Sequence, residues 1–92
     1  MKCRVELSRA AKKEILNIPF YVARKLQDWV EDVEDRGLKE VRKISGYHDE
    51  PLQGKRWGQR SIRLSKSYRA FYREEVGEIV LVQIIEVNKH EY

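Results

Sequence analysis

Arg63 and Arg69 flank a short polar connection at residues 65–67. If the flanking segments are adjacent strands and both side chains leave the same face, the two guanidinium groups lie close together. A guanidinium presents a planar fork of donors that matches phosphate oxygens, and two of them on rigid strands make a good phosphate clamp. The residue types and their spacing therefore predict a phosphate-binding site.

The two arginines belong to a longer basic segment. Residues 52–73 carry seven basic side chains and no acidic one, whereas the rest of the chain carries 12 basic and 15 acidic residues. Such a local excess is typical of a surface that binds nucleic acid, although a solvated basic face without a ligand has the same composition. The basic residues of this segment are Lys55, Arg56, Arg60, Arg63, Lys66, Arg69 and Arg73.

The side chains best suited to proton transfer are His90, His48 and Glu50. Histidine titrates near neutral pH, so His90, if it lies beside an arginine clamp, is a candidate general acid or base. Lys89 precedes it and is a further candidate for contact with phosphate. The sequence has no HExxH motif, P-loop, EF-hand or Cys/His cluster, so we expect neither a metal ion nor another cofactor.

Aromatic residues are interleaved with these arginines. Tyr68, Phe71 and Tyr72 alternate along a predicted strand, where such residues pack in the sheet core more often than they bind bases. Trp57 lies in a glycine-flanked basic loop, and its sequence context fits a packed side chain and a base-stacking platform about equally well.

Hydrophobic periodicity predicts the elements that position these residues, beginning with a half-buried strand at residues 2–7. Ser8 is suited to cap a helix over residues 9–17, and a second helix is expected over 19–36, ending at Gly37. One face of this second helix is apolar and is expected to face the core. Its members are Val22, Leu26, Trp29, Val30 and Val33.

The second half of the chain is predicted to be mainly strand. A short helical turn over residues 38–44 is followed by a loop over 45–58, which is rich in glycine. Strands are expected over 59–65, 67–74 and 79–87, joined by short antiparallel connections. The last strand is apolar at nearly every position, which predicts that it is central and covered on both faces.

The predicted element order is β-α-α-β-β-β, which indicates an α+β domain with a mainly antiparallel twisted sheet. An N-terminal helical hairpin packs on one face of the sheet, and the other face is partly open and carries the arginines. The length of 92 residues fits a single domain over residues 1–92. No apolar run approaches the length of a membrane helix, and we expect a cytoplasmic protein without a signal peptide.

Three segments together resemble the RelE/ParE toxin superfamily. They are residues 48–54, with Glu-Pro-Leu at 50–52, residues 58–64, with Ser-Ile-Arg at 61–63, and residues 68–73, which begin with Tyr-Arg. The pattern is most similar to the RelE, HigB and YoeB branches of mRNA-cleaving toxins. RelE proper relies on closely placed lysines and a further C-terminal arginine. Because Ser61, Arg63 and His90 stand here instead, the resemblance favours YoeB- or HigB-like chemistry.

This resemblance implies a metal-independent endoribonuclease that acts on mRNA in the ribosomal A site and is held inactive by a cognate antitoxin. It implies that Arg69 holds the scissile phosphate, that Glu50 is the general base and that His90 is the general acid. Arg63 matches a position that also binds RNA. Tyr92 corresponds to a terminal tyrosine of the YoeB-like branch, displaced here by one residue.

Several alternatives stay open at this point. His48 can replace Glu50 as the general base. A ParE-like poison of DNA gyrase has the same fold and needs no acid/base pair, and a non-catalytic module can bind nucleic acid through the basic segment alone. Salt dependence does not distinguish these hypotheses, because it is strong in all forms of nucleic-acid binding. Cleavage of RNA does distinguish them.

Overall fold

The computed structural model describes residues 2–77 and 79–89. In this part of the chain, five strands form one sheet in the order β1-β5-β4-β3-β2. The strands are β1 (Cys3–Leu7), β2 (Glu50–Pro51), β3 (Arg60–Arg63), β4 (Tyr68–Val76) and β5 (Val80–Lys89). The helices are α1 (Arg9–Ile15), α2 (Phe20–Arg36) and α3 (Leu38–Val41), with 3-10 turns at Ser45–Tyr47 and Gly54–Arg56.

The sheet is antiparallel except at one edge. β2, β3, β4 and β5 pair antiparallel in chain order, whereas β1 lies parallel to β5, with Cys3 opposite Val80. Short turns can join only antiparallel neighbours, so the parallel pair is the one separated by most of the chain. The predicted α+β class and mainly antiparallel sheet are confirmed.

The helix boundaries follow from capping residues. The Ser8 hydroxyl accepts a hydrogen bond from the Ala11 N–H at 3.0 Å, as expected of an N-cap. Gly37 ends α2 with φ at +89°, a left-handed conformation that glycine adopts at little cost. Helix α1 ends at Ile15, two residues before its predicted end, and Pro19 is the N-cap of α2 rather than part of its first turn.

The core lies between the helices and one face of the sheet. Trp29 of α2 packs against Tyr72 of β4 with ring centroids 5.1 Å apart, and both side chains are fully buried. Helix α1 packs on β5 and α2 packs on β1 and α3, so both helices contact other elements more extensively than they contact each other. No helix of the described residues is long and apolar enough to cross a membrane.

The prediction that the last strand is covered on both faces is wrong. Val82, Ile84 and Val87 are buried under the helices, whereas Gln83 and Glu86 are only half-buried on the other face. A bulge interrupts the β4–β5 pairing between Phe71 and Tyr72, where the register moves from Glu86 to Ile84. Because of the extra residue, Ile84 and Val87 face the same side of the sheet although they are three positions apart. The strand is therefore apolar at nearly every position in the sequence.

The predicted loop over residues 45–58 contains regular structure. It includes both 3-10 turns and the two-residue strand β2, in which Glu50 pairs with Ser61 and Pro51 with Arg60. A two-residue edge strand has no periodicity that a sequence pattern can reveal. The connection predicted between the strands over 67–74 and 79–87 also begins later, because β4 continues to Val76.

Candidate active site

The face of the sheet that lies away from the helices, called the open face here, carries the predicted arginine pair. Arg63 of β3 lies directly opposite Arg69 of β4 in the strand register. On the other side of β4, Arg69 lies opposite Asn88 of β5. The predicted placement of two guanidinium groups on adjacent strands is therefore confirmed.

Glu50 reaches this arginine pair from the edge of the sheet. The Arg69 Nη1 group donates to Glu50 Oε1 at 3.1 Å and lies 3.5 Å from Ser61 Oγ. The Arg69 side chain is 24% exposed, whereas that of Glu50 is 58% exposed. Ser61 is fully buried beneath them. Contacts with Glu50 and Ser61 thus fix the Arg69 guanidinium, and Glu50 is a solvent-accessible carboxylate next to it.

A second ion pair lies on the same face. The Arg56 guanidinium stacks over the Phe71 ring at 4.2 Å and donates to Glu86 Oε1 and to Gln59 Oε1, both at 3.0 Å. Glu86 also accepts a hydrogen bond from Asn88. The basic segment is therefore partly neutralised by carboxylates that lie outside it in the sequence.

Asp49, the residue before Glu50, is held inside the protein by a polar network. Its side chain is 1% exposed and accepts hydrogen bonds from the Tyr72 hydroxyl and from Arg60 Nε. Arg42 donates to the Tyr72 oxygen and to Glu74, which ties α3 to the same network. Burial and the hydrogen bond to Asp49 raise the pKa of the Tyr72 phenol. Because a buried carboxylate needs partners of this kind, the network fixes the chain immediately before Glu50.

His48 lies on the other side of Asp49 and is exposed. Its φ is +47°, in the left-handed region that residues other than glycine rarely adopt. This conformation turns the chain from the 3-10 turn at Ser45–Tyr47 into β2. The left-handed backbone conformation thus fixes the direction in which the chain leaves His48. The role of this residue as an alternative base stays a prediction.

The structure does not bring all the predicted basic residues together. Arg60 pairs with Tyr72 in the strand register and binds the buried Asp49. Its side chain therefore lies on the interior side of the sheet rather than on the open face. Lys89 lies opposite Tyr68, on the side of the sheet that the helices cover. Arg60 and Lys89 therefore do not share the open face with Arg69, and any contact of theirs with phosphate stays a prediction.

The other basic residues lie in three further places on the chain. Lys66 is exposed in the turn between β3 and β4, and Lys55 is exposed in the 3-10 turn that also carries Arg56. Arg73 lies farther along β4, where its Nε group donates to Gln83 Oε1 at 3.0 Å. Their predicted contacts with RNA stay predictions.

His90 and Tyr92 lie outside the described residues, so their predicted positions are not tested. The described part of β5 ends at Lys89. Because Asn88 lies opposite Arg69, the C-terminal end of this strand runs alongside the arginine that we expect to bind the phosphate.

Sequence reasoning missed Asp49, Ser61 and Glu86 as members of these clusters. Tyr72 offered one indication, since a tyrosine at a core position requires a hydrogen-bond partner, but nothing in the pattern identified Asp49 as that partner. Glu86 stands in an apolar strand, and its pairing with Arg56 depends on the bulge in β5. Neither contact follows from sequence spacing.

The geometry supports a defined type of chemistry. A carboxylate beside a held guanidinium can accept a proton from a substrate hydroxyl, while the guanidinium stabilises negative charge that develops nearby. Arg63, opposite Arg69, adds a second cation to the same face. This arrangement suits attack by a hydroxyl on an adjacent phosphodiester.

Comparison with known proteins places the fold in a family. The family model described as "ParE toxin of type II toxin-antitoxin system, parDE" matches residues 5–91. The chain belongs to this family of toxins, and the predicted resemblance to the RelE/ParE superfamily is confirmed. No curated protein matches the chain.

Solved structures of similar toxins share the fold at low sequence identity. The YoeB/ParE toxin from Agrobacterium tumefaciens has a TM-score of 0.73 at 18% identity, covering 99% of this chain and 100% of that one. The RelBE2 toxin-antitoxin complex from Mycobacterium tuberculosis has a TM-score of 0.70 at 19% identity, with coverages of 98% and 100%. The DinJ–YafQ complex of E. coli has a TM-score of 0.72 at 17% identity, with coverages of 97% and 94%.

Proposed function

We propose that this toxin is a metal-independent endoribonuclease that cleaves mRNA on the ribosome. The observation that supports this function most strongly is the 3.1 Å contact between the Glu50 carboxylate and the Arg69 guanidinium on the open face. A DNA- or ribosome-binding module without catalytic activity needs basic side chains but has no use for an accessible carboxylate among them.

In the first step, Glu50 removes the proton from a ribose 2′-hydroxyl, and the resulting oxygen attacks the adjacent phosphorus. Glu50 is suited to this role because it is solvent-accessible and lies on the edge strand β2. The contact between Glu50 and Arg69 opens or rearranges when the phosphate enters, and the arginine then binds the phosphate while the carboxylate faces the sugar.

Arg69 and Arg63 stabilise the negative charge that builds on the phosphoryl oxygens. Preorganised charge of this kind is commonly the largest contribution to catalysis, because it requires little rearrangement during the reaction. Arg69 fits this description in part, because Ser61 Oγ lies 3.5 Å from its Nη1 group and can hold the guanidinium after the contact with Glu50 opens.

In the last step, His90 donates a proton to the departing 5′-oxygen. The products are a 2′,3′-cyclic phosphate and a 5′-hydroxyl end. Separate groups for proton removal and proton donation allow the reaction to proceed near neutral pH. Tyr92 is the remaining terminal residue that we assign to the reaction centre.

Primer extension on a defined mRNA tests this proposal. We expect the wild-type protein to cut at specific codons when ribosomes are present, and His90→Ala to abolish these cuts while leaving the protein folded. His48→Ala tests the alternative base, and Gln27→Ala, which changes an exposed residue of α2, is the control. Equal cleavage by wild type and His90→Ala would contradict the assignment of His90.

The match to the ParE family model favours a second candidate, the inhibition of DNA gyrase. A plasmid supercoiling assay with purified gyrase separates the two functions. Inhibition of supercoiling by wild type, by Glu50→Gln and by His90→Ala, together with no cut mRNA, would replace the ribonuclease proposal with this candidate.

We also propose that a cognate antitoxin binds this chain. The support comes from the solved complexes that share its fold, which include RelBE2, DinJ–YafQ and the YoeB–YefM complex of Staphylococcus aureus. Co-purification of the chain with the product of a neighbouring gene tests this partner.

A further inference from the structure

The two tryptophans of this chain have opposite environments. Trp29 is fully buried in the core, whereas Trp57 is 80% exposed. Exposure alone does not distinguish Trp57, because Phe20 is 81% exposed as well. Trp57 differs from Phe20 in that it lies within the basic segment. The core packing in the described residues makes no use of the Trp57 indole.

The loop that carries Trp57 is held by backbone hydrogen bonds. The Trp57 N–H donates to the Gly54 carbonyl at 3.1 Å, and the Gln59 N–H donates to the Arg56 carbonyl at 2.9 Å. Gly58 follows with φ at +94°, a conformation suited to glycine. A preorganised loop loses little conformational freedom when a ligand binds, which favours recognition by Trp57.

Trp57 forms one wall of a shallow hollow of about 280 Å³ at the edge of the sheet. Its other lining residues are Pro51, Leu52, Gln53, Gly58, Gln59, Arg60 and Glu74. The two charged side chains already have partners, because Arg60 binds Asp49 and Glu74 binds Arg42. The hollow therefore offers an aromatic ring, apolar surface and the amide side chains of Gln53 and Gln59 to a flat ligand.

This hollow lies at the β2 edge of the sheet, one residue pair away from the candidate active site. Pro51 and Arg60, which line it, form the pair that directly follows the pair of Glu50 with Ser61, but Arg60 lies on the interior side of the sheet. The turn that carries Trp57 links the two sides, because Arg56, the residue before Trp57, binds Glu86 on the open face. A single strand of RNA that passes over this edge from the open face can thus reach the hollow.

We propose that Trp57 stacks on a base of the RNA substrate, so that the hollow is a base-binding subsite beside the reaction centre. This inference rests on the proposed ribonuclease function. Stacking on an indole accepts every base, because each base has a π-face, and the subsite therefore strengthens binding with little selection of sequence. Single-stranded RNA is the occupant, since only unstacked bases can enter such a hollow.

Tryptophan fluorescence tests the subsite directly. The probe is a 2′-O-methyl RNA hexamer, which cannot be cleaved because it lacks a free 2′-hydroxyl, and the comparison is the same backbone without bases. We expect the hexamer to quench the emission of Trp57 and the abasic chain to leave it unchanged. Because Trp29 is fully buried, Trp57→Phe provides the background emission of that residue.

Affinity and cleavage measurements complete the test. Stacking on one base predicts that Trp57→Ala weakens hexamer binding roughly tenfold or more, whereas Trp57→Phe stays within about threefold of wild type. Phe20→Ala removes an aromatic side chain that is 81% exposed on α2 and is the matched control. We expect this variant to bind and cleave RNA as the wild type does.

The outcomes separate the two proposals. If wild type cleaves mRNA but the hexamer and the abasic chain quench equally, or neither quenches, the subsite is refuted and the ribonuclease stands. If Trp57→Ala binds the hexamer as tightly as wild type does, the subsite is likewise refuted. If wild type neither cleaves mRNA nor binds the hexamer, both proposals fail, and Trp57 is then a candidate contact for a protein partner.

Discussion

Asp49 and Glu50 are consecutive carboxylates, and each binds an arginine, but they do so on opposite sides of the sheet. Asp49 meets Arg60 and Tyr72 with 1% of its side chain exposed, whereas Glu50 meets Arg69 with 58% exposed. Successive residues of extended chain point to opposite faces, so the single step from Asp49 into β2 separates an interior network from the open face.

An arginine–carboxylate pair therefore has no fixed role. The buried pair is surrounded by further hydrogen bonds, and loss of either partner leaves an uncompensated charge inside the protein. The exposed pair contributes little to stability because water screens it, and its members stay available to a substrate. The Asp49 pair therefore contributes more to the stability of the protein than the Glu50 pair does, and we assign the reactivity to Glu50.

Substitution of Glu50 is expected to have the largest effect on activity. Glu50→Gln keeps the shape of the side chain but cannot accept the proton, so we expect cleavage to fall by about 100-fold or more. The free energy of unfolding should change by less than about 0.5 kcal/mol, because the lost pair is exposed. Single-turnover cleavage and urea unfolding measure the two quantities, with Glu31→Gln on α2 as the control.

Full cleavage activity of Glu50→Gln would show that another group is the base. The double variant with His48→Ala then identifies whether His48 takes that role. A large loss of stability in Glu50→Gln would instead show that the exposed pair is structural, and the contrast between the two carboxylates would disappear.

Substitution of Asp49 is expected to give the reverse result. Asp49→Ala leaves Arg60 and the Tyr72 hydroxyl without their shared acceptor. We therefore expect the free energy of unfolding to fall by about 2–4 kcal/mol. Arg60 is itself partly exposed, which places the expected value below that of a fully buried pair. The matched variant Glu50→Ala, at the next position, should lose less than about 0.5 kcal/mol.

Asp49→Asn distinguishes hydrogen bonding from charge, since its amide oxygen can still accept from Arg60. We expect it to recover part of the stability that Asp49→Ala loses. If Asp49→Ala were as stable as Glu50→Ala, the interior network would not be what holds β2 in place.

Much of the fold could be predicted from the sequence, because the chain consists mainly of long periodic segments. The apolar stripe of α2 and the alternation in β4 identified both faces of the core. The bulge in β5 and the two-residue strand β2 were not accessible, since each depends on pairing between distant parts of the chain. The superfamily followed from short motifs, and the match to the family model confirmed it.

The candidate site was accessible in part. Arg63 and Arg69 were found because strand alternation and a tight turn determine their relative position. The separation of Arg60 from them was not foreseen, since it depends on a buried acceptor, Asp49, that stands outside the basic segment. A local excess of charge thus predicts a surface but does not reveal which of its members are neutralised from elsewhere.

The smallest expected effect concerns pH and two buried tyrosines, Tyr72 of the interior network and Tyr47. Burial, together with hydrogen bonds to Asp49 and Asp32, raises the pKa of the Tyr72 and Tyr47 phenols. Above about pH 10, the unfolded chain loses these protons while the folded protein retains them, so stability falls as pH rises and is unaffected at neutral pH. Urea unfolding between pH 8 and 11 should show this loss, and Tyr47→Phe should reduce the slope by at most about 1.4 kcal/mol per pH unit. An unchanged slope in Tyr47→Phe would show that its phenol ionises equally in both states and that Asp32 does not hold it.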